Sequence, residues 1–150
     1  YLNNFGIFKN KVEIWGSGQP MREFLWSEDM ADACVFIMNN INFKDLISES
    51  KTDVTCKSEI IKQKQTNEIR NTHINIGSGV DISIKDLAYM IKDVVSFDGE
   101  LFFNTDKPDG TMKKLTDVNK LHSLGWKHTV ELKDGLHMMY ENYKLNKGQK

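Results

Sequence analysis

A chain of 150 residues, 39% of them hydrophobic and 27% charged, is long enough to bury one core and has the composition of a globular domain. Its 20 basic and 21 acidic side chains leave a net charge of -1, which argues against nucleic acid or an anionic membrane as a partner. The sequence has no run long enough for a membrane span, no secretory signal and only two cysteines, so we expect a reducing, cytoplasmic setting.

The first residue is Tyr1 rather than Met, and no capping or start signal follows it. We therefore expect the chain to be a segment of a longer protein.

Two short strands and a helix are predicted near the beginning. Val12–Trp15 alternates and stops at Gly16–Gly18, as a strand entering a glycine turn does, and Arg22–Trp26 is predicted as a second strand. Ser27 stands where a helix N-cap belongs, with two acidic residues after it. The apolar positions that follow have the spacing of one buried helical face: Met30, Cys34, Ile37, Met38 and Ile41.

Residues 42–72 differ from the rest of the chain. They hold six basic and five acidic residues, no Gly or Pro and few large apolar side chains, which is too little for a core of their own. We predict a polar surface insertion, partly helical around Ser58–Ile69. A functional basic patch is the alternative, but interleaved opposite charges favour a solvated face.

Strands and helices alternate again after the insertion. His73–Ile76 is predicted as a strand running into Gly77–Gly79, and Ser83 with Asp86 forms a capping-box pattern. The helix that follows has its apolar stripe at Ile84, Leu87, Ala88, Ile91, Val94 and Val95.

The last third of the chain contains a strand, a turn and two more helices. Leu101–Phe103 is predicted as a strand, Lys107–Gly110 has turn chemistry, and a short helix over about Asp117–Leu124 ends at Gly125. The final helix carries one apolar face at Leu132, Leu136, Met139, Tyr140 and Tyr143. Short strands alternating with helices predict an α/β fold.

Several familiar sites are absent from the sequence. Neither Gly16–Gly18 nor Gly77–Gly79 completes the dinucleotide fingerprint or a P-loop, so tight turns are the simpler interpretation. The four histidines lack paired metal spacing, and no G-x-S-x-G elbow occurs. We therefore predict no metal, catalytic or cofactor-binding residue within this chain.

A different combination suits a nucleotide sugar. Arg22 offers a planar fork for a diphosphate, Lys114 a point charge, Trp15 a flat face for a sugar or base, and Asp109 an acceptor for hydroxyls. Each also has a structural explanation: a core tryptophan, an arginine paired with a neighbouring carboxylate, or a solvated lysine. Spacing alone leaves both interpretations open.

Three blocks of sequence resemble the GDP-L-fucose synthases, which are extended short-chain dehydrogenase/reductases. They are Val12–Leu25, His73–Leu87 and Lys107–Val118, the last followed by Leu124–Trp126. The first and third blocks together are typical of this branch, and only the 42–72 stretch lies outside the similarity. The departures are Trp26, Ser27 and Met112, where the family usually has His, Val and Pro.

The resemblance implies a fold and a function. Residues 1–150 would be the C-terminal, substrate-binding portion of an NADPH-dependent GDP-4-keto-6-deoxy-D-mannose epimerase/reductase, with Trp15, Arg22, Asp109 and Lys114 as substrate contacts. The NADP site and the catalytic Ser and Tyr-x-x-x-Lys would precede this portion, so the chain alone would be inactive. Tyr140 and Tyr143 have lysines four residues on, but their place on an apolar helical stripe favours packing.

Alternatives remain at this point. The sugar could differ, as in a GDP-heptose reductase, a dehydratase or a UDP-sugar epimerase of the same superfamily, or the chain could be a non-catalytic nucleotide-sugar-binding module. The family resemblance also implies a homodimer for the whole enzyme.

Overall fold

The computed structural model describes residues 10–48 and 71–147. Within these ranges strands and short helices alternate along the chain. In order, they are β1 Lys11–Trp15, β2 Met21–Glu23, α1 Ser27–Asn40, α2 Phe43–Ser48, β3 Asp81–Ser83, α3 Ile84–Val94, β4 Glu100–Asn104, β5 Lys113–Lys114, α4 Asn119–Ser123 and α5 Leu132–Lys147. The predicted α/β class is confirmed.

The strands form two small sheets. β1 and β4 pair in parallel, with Lys11 opposite Glu100 and Trp15 opposite Asn104. In the other sheet β2 is central, antiparallel to β3 and parallel to β5. Because β2 follows β1 after only five residues, the ends of the two sheets are brought close together by one short connection.

The core lies between α1 and α4. Ala33, Leu121 and Trp126 are buried together there. Partly buried side chains surround them: Leu25, Phe36, Ile37, Ile74 and Ile76. The predicted stop at Gly125 is confirmed, since its φ is +101° and the N–H groups of Gly125 and Trp126 donate to the carbonyls of His122 and Leu121. This turn directs Trp126 back onto α1, where its Nε1 donates to Asp32 at 2.8 Å.

A buried carboxylate ties α1 to the segment before α5. Asp29 is 5% exposed and accepts hydrogen bonds from the Thr129 hydroxyl at 2.8 Å and from the backbone N–H groups of Thr129 and Val130 at 3.2 and 3.0 Å. Burial raises the pKa of Asp29, but these hydrogen bonds and the nearby His128 outweigh it and lower the pKa below its ordinary value.

Two predictions for α1 are wrong. The N-cap residue is Trp26 rather than Ser27, because the Met30 N–H already donates to the Trp26 carbonyl at 3.0 Å. The buried side is centred on Asp29 and Ala33, while Met30 and Met38 are exposed. A hydrophobic stripe could not reveal this rotation, since it is fixed by a buried acidic side chain.

The predicted strand at His73–Ile76 is also wrong. No strand pairs with it among the described residues, although Ile74 and Ile76 do pack on the core. The strand forms later instead, as β3, where Asp81–Ser83 pairs with β2. β2 itself ends at Glu23, short of the predicted Trp26, because its partners β3 and β5 are only three and two residues long.

The predicted cap of α3 is confirmed, and the predicted apolar face of α5 is confirmed in part. Ser83 caps α3, its hydroxyl oxygen accepting from the Asp86 N–H at 2.9 Å. In α5, Tyr140 is half-buried and its hydroxyl donates to the Val95 carbonyl at 3.5 Å. Met139 and Tyr143 are exposed, so the predicted apolar face of α5 is narrower than five residues.

Much of the predicted 42–72 insertion, including Ser58–Ile69, lies outside the described residues. Its first part forms α2. Across the described ranges no helix has the length and apolar character needed to traverse a bilayer, and no group of three or more His, Cys, Asp or Glu side chains could hold a metal ion.

Candidate ligand-binding site

An exposed tryptophan marks the end of β1. Trp15 is 71% exposed, and the Lys107 ammonium lies 5.3 Å from the centroid of its ring. The interpretation of Trp15 as a core residue is therefore wrong. A flat ring open to solvent and capped by a cation is suited to contact with a ligand rather than to packing.

Asp109 closes the turn that follows Trp15. Its carboxylate accepts from the Ser17 N–H at 2.8 Å and from the Ser17 hydroxyl at 2.6 Å. Gly16, with φ +88°, allows this approach, because any Cβ there would collide with Asp109 Oδ1. The loop that carries Asp109 is thus held against the tryptophan turn across 92 residues of sequence.

Arg22 lies under the same loop. One guanidinium nitrogen, Nη1, donates to the Met21 carbonyl at 2.6 Å and to the Thr111 carbonyl at 2.7 Å. Gly110 leaves room for the other, since a Cβ at that position would lie 3.2 Å from Nη2. These two hydrogen bonds from Nη1 to main-chain oxygens orient the rest of the planar guanidinium.

Lys114 stands beside Arg22 on the neighbouring strand. The parallel register of β2 and β5 pairs the two residues, so their side chains lie on one face of the sheet. Lys114 is exposed, whereas the adjacent Lys113 lies on the opposite face, 3.2 Å from Asp81. Lys114 therefore adds a second positive charge next to the guanidinium.

The four predicted binding residues fall into two neighbouring pairs. Trp15 and Asp109 meet at the Ser17 turn, and Arg22 and Lys114 are paired across β2 and β5. The loop over residues 107–112 contacts both pairs, through Lys107 at Trp15 and through Thr111 at Arg22. Three cationic side chains and an open aromatic ring along this loop are suited to an anionic ligand with a flat or hydroxylated end.

Sequence reasoning missed two contributors to this surface, Ser17 and Thr111. Ser17 holds Asp109, and Thr111 orients Arg22 through its carbonyl oxygen. Ser17 was signalled only by its glycine neighbours, and Thr111 by nothing, because a main-chain contact leaves no trace in residue type.

The opposite face of β2 carries a different carboxylate. Glu23 accepts from the Gly79 N–H at 2.6 Å, the Ser78 hydroxyl at 3.3 Å and the Thr116 N–H at 3.0 Å. Burial raises the pKa of Glu23, but the hydrogen bonds from Thr116, Gly79 and Ser78 outweigh it and hold the pKa below its ordinary value. Glu23 thereby joins three segments beneath the surface that Arg22 presents.

Neither glycine turn suits the pyrophosphate of a dinucleotide. Such a turn must offer its N–H groups to an anion. Here Asp109 already accepts from Ser17 in one turn, and Glu23 accepts from Gly79 in the other. A bound phosphate would face a carboxylate in both places, so these residues do not fit a nicotinamide cofactor.

The chain is similar in sequence to enzymes that act on nucleotide sugars. The model of the NAD dependent epimerase/dehydratase family matches residues 2–47. The GDP-L-fucose synthase of Escherichia coli is 41% identical over 130 residues, which are 87% of this chain and 35% of the relative. The chain thus spans about a third of the length of the curated relatives it matches, and the resemblance predicted from the sequence is confirmed.

Solved structures resemble the chain as well. A GDP-6-OMe-4-keto-L-xylo-heptose reductase from C. jejuni is 53% identical with a TM-score of 0.77, over 97% of this chain and 37% of that one. A GDP-mannoheptose C4 reductase from Campylobacter jejuni, solved with NADP bound, is 52% identical with a TM-score of 0.71, over 96% of this chain and 35% of that one.

Proposed function

We propose that this chain is the nucleotide-sugar-binding part of a GDP-sugar epimerase/reductase, a member of the NAD dependent epimerase/dehydratase family. The observation that carries the proposal is the joint placement of Arg22, Lys114 and the exposed Trp15 around one loop. The similarity to GDP-L-fucose synthase and to GDP-heptose reductases supports it.

The residues of this chain would bind and orient the substrate. The guanidinium of Arg22 and the ammonium of Lys114 would hold the diphosphate, Trp15 would pack on the nucleoside or sugar, and Asp109 would accept from a hydroxyl with its remaining lone pairs. Holding a 4-keto sugar in one orientation is itself a contribution to rate, because it removes the entropy cost of alignment from the chemical step.

The proton transfers and the hydride step would use groups outside this chain. Hydride delivery to the keto carbon is the chemistry that NADPH supplies in such enzymes. We propose that NADP is bound elsewhere in the complete protein, since the two glycine turns here are closed by carboxylates. The chain alone would then be inactive. The complete enzyme would be a cytoplasmic homodimer.

A GDP-linked heptose is the second candidate substrate. The favouring observation is the higher identity to the heptose reductase, 53%, than to the Escherichia coli GDP-L-fucose synthase, 41%. The departures at Trp26, Ser27 and Met112 do not fall on any of the four proposed contact residues. We therefore propose the same diphosphate and nucleoside contacts for either sugar.

The first test measures nucleotide binding by the complete protein. Calorimetric titration should give tighter binding of GDP than of UDP, and Arg22→Ala should weaken GDP binding about tenfold or more, because a charge-assisted hydrogen bond to phosphate is lost. Lys133→Ala, an exposed lysine on α5, is the matched control and should bind GDP as the wild type does.

Turnover then separates the candidates. Oxidation of NADPH with GDP-4-keto-6-deoxy-D-mannose supports fucose synthesis, and oxidation only with a GDP-4-keto-heptose supports the second candidate. GDP binding without turnover of either sugar indicates a binding module. Equal or absent binding of GDP and UDP by the folded protein would contradict the proposed site.

A further inference from the structure

Ser17 is half-buried, and it uses both its main-chain and its side-chain donor on one carboxylate. Its N–H and its hydroxyl both donate to Asp109, at 2.8 and 2.6 Å, one to each carboxylate oxygen. Its hydroxyl oxygen also accepts from the Gln19 N–H at 3.1 Å. A hydroxyl has one proton and two lone pairs, so this proton is committed to Asp109 while Gln19 uses one lone pair.

The two-point contact fixes the loop that carries Asp109. The far end of that loop is held separately, by the Thr111 carbonyl on Arg22 and by the Met112 carbonyl, which accepts from the Met21 N–H at 2.7 Å. A loop held at both ends has little freedom to move, so the guanidinium bonded to Thr111 inherits its position from Ser17 as well as from β2.

The turn is shaped to admit the carboxylate. Gly16 and Gly18 have φ of +88° and +76°, values that favour glycine, and a Cβ on Gly16 would strike Asp109 Oδ1. Glycine at position 16 therefore leaves the room that Asp109 occupies against the turn.

We propose that Ser17 is a positioning residue for the GDP-sugar site: it binds both oxygens of Asp109 and thereby locks the 107–112 loop in the position that orients Arg22 and Lys107. This inference rests on the proposed function. Ser17 does not touch the ligand in this proposal. It acts through Asp109, whose oxygens keep lone pairs for a ligand hydroxyl.

The test compares Ser17 with Ser78, because each is the middle residue of a Gly-Ser-Gly turn. In the complete protein, Ser17→Ala should raise the KM for the GDP-sugar, and the Kd for GDP, about fivefold with kcat unchanged, because loosening the loop weakens binding without altering the reacting groups. Ser17→Thr keeps the hydroxyl and should restore wild-type values. Ser78→Ala, in the other Gly-Ser-Gly turn, should leave both constants unchanged.

A double variant identifies the route of the effect. The double variant, with Asp109→Asn and Ser17→Ala, should bind GDP no more weakly than whichever single variant binds it more weakly. The reason is that both substitutions disrupt the same contact between Ser17 and Asp109. Wild-type affinity in Ser17→Ala, or additive losses in the double variant, would overturn the inference and leave the proposed function intact. Failure of the wild type to bind GDP would overturn both.

Discussion

The two Gly-Ser-Gly turns of this chain have the same sequence and different surroundings. Each is closed by one carboxylate distant in sequence: Asp109 on the turn at residues 16–18 and Glu23 on the turn at residues 77–79. The Asp109 contact is exposed and lies beside Trp15, whereas the Glu23 contacts are partly buried and connect β2 to the 77–79 turn and to the segment after β5. The Gly-Ser-Gly sequence therefore specifies a turn with N–H and hydroxyl donors. Whether that turn lies at the proposed binding surface or in the structural support depends on where the accepting carboxylate lies.

The same division appears across β2. Arg22 and Glu23 are adjacent, and because successive strand residues point to opposite faces, Arg22 faces the 107–112 loop and Glu23 faces the 77–79 turn. We infer that the Glu23 side supplies stability and that the Arg22 side supplies binding. Variants on either side of β2 test this separation, because each should affect one property without the other.

The largest effect is expected at Glu23. Replacing Glu23 with Ala removes an acceptor that serves three donors, two of them main-chain N–H groups in partly buried positions. We expect the free energy of unfolding to fall by about 3 kcal/mol, measured by urea denaturation of the complete protein. GDP affinity of the protein that remains folded should change less than twofold.

Asp109→Ala is the matched control for Glu23→Ala. It removes a carboxylate from the other Gly-Ser-Gly turn, where the contacts are exposed, and should reduce the free energy of unfolding by less than about 1 kcal/mol. Equal losses of stability in the two variants would show that both turns are structural and would remove the contrast between them.

The strands and turns were easier to predict from the sequence than the side chains that hold them together. Alternation and glycine turns correctly indicated β1, β4 and the stop at Gly125, and residue chemistry singled out Trp15 and Arg22. The hydrogen-bonded carboxylates were harder to predict, since buried Asp29 and half-buried Glu23 depend on donors about 100 and 56 residues away. Residue type records the charge of these side chains but not the N–H groups that satisfy it.

Short elements account for the other differences. His73–Ile76 has the composition of a strand but no partner in the described residues, while Lys113–Lys114 lacks strand character and pairs with β2 all the same. Whether a strand of two or three residues forms depends on the neighbouring strand that it can pair with, because the β-propensity summed over so few residues is small.

The second prediction concerns pH and again separates Glu23 from its surroundings. Because the hydrogen bonds lower the pKa of Glu23 in the folded state, its contribution to stability is present above the pKa of the unfolded chain and is lost as pH falls through the folded-state pKa. Wild-type stability should therefore decline on acidification below the ordinary range of glutamate. Glu23→Gln should be less stable at pH 7 and should decline less steeply.

Asp29 adds its own pH dependence to the stability that this experiment measures. Its pKa is lowered in the same direction, so its contribution also disappears on acidification, but it does so in both proteins. The difference between wild type and Glu23→Gln thus isolates Glu23. Parallel stability curves from pH 7 to pH 3 would mean that Glu23 is not held ionised by its donors.

The smallest effect is expected at Gly110, on the exposed side. No positive φ constrains this glycine, and its added Cβ would meet only Arg22 Nη2, at 3.2 Å. Gly110→Ala should therefore leave the free energy of unfolding within about 0.5 kcal/mol of wild type while weakening GDP binding two- to threefold, because the guanidinium must shift by a few tenths of an ångström. Calorimetric titration beside urea denaturation measures both quantities. In an Arg22→Ala background the same substitution should have no effect on affinity, since the group that it displaces is gone; a persistent loss would mean that Gly110 acts on the loop itself and not through Arg22.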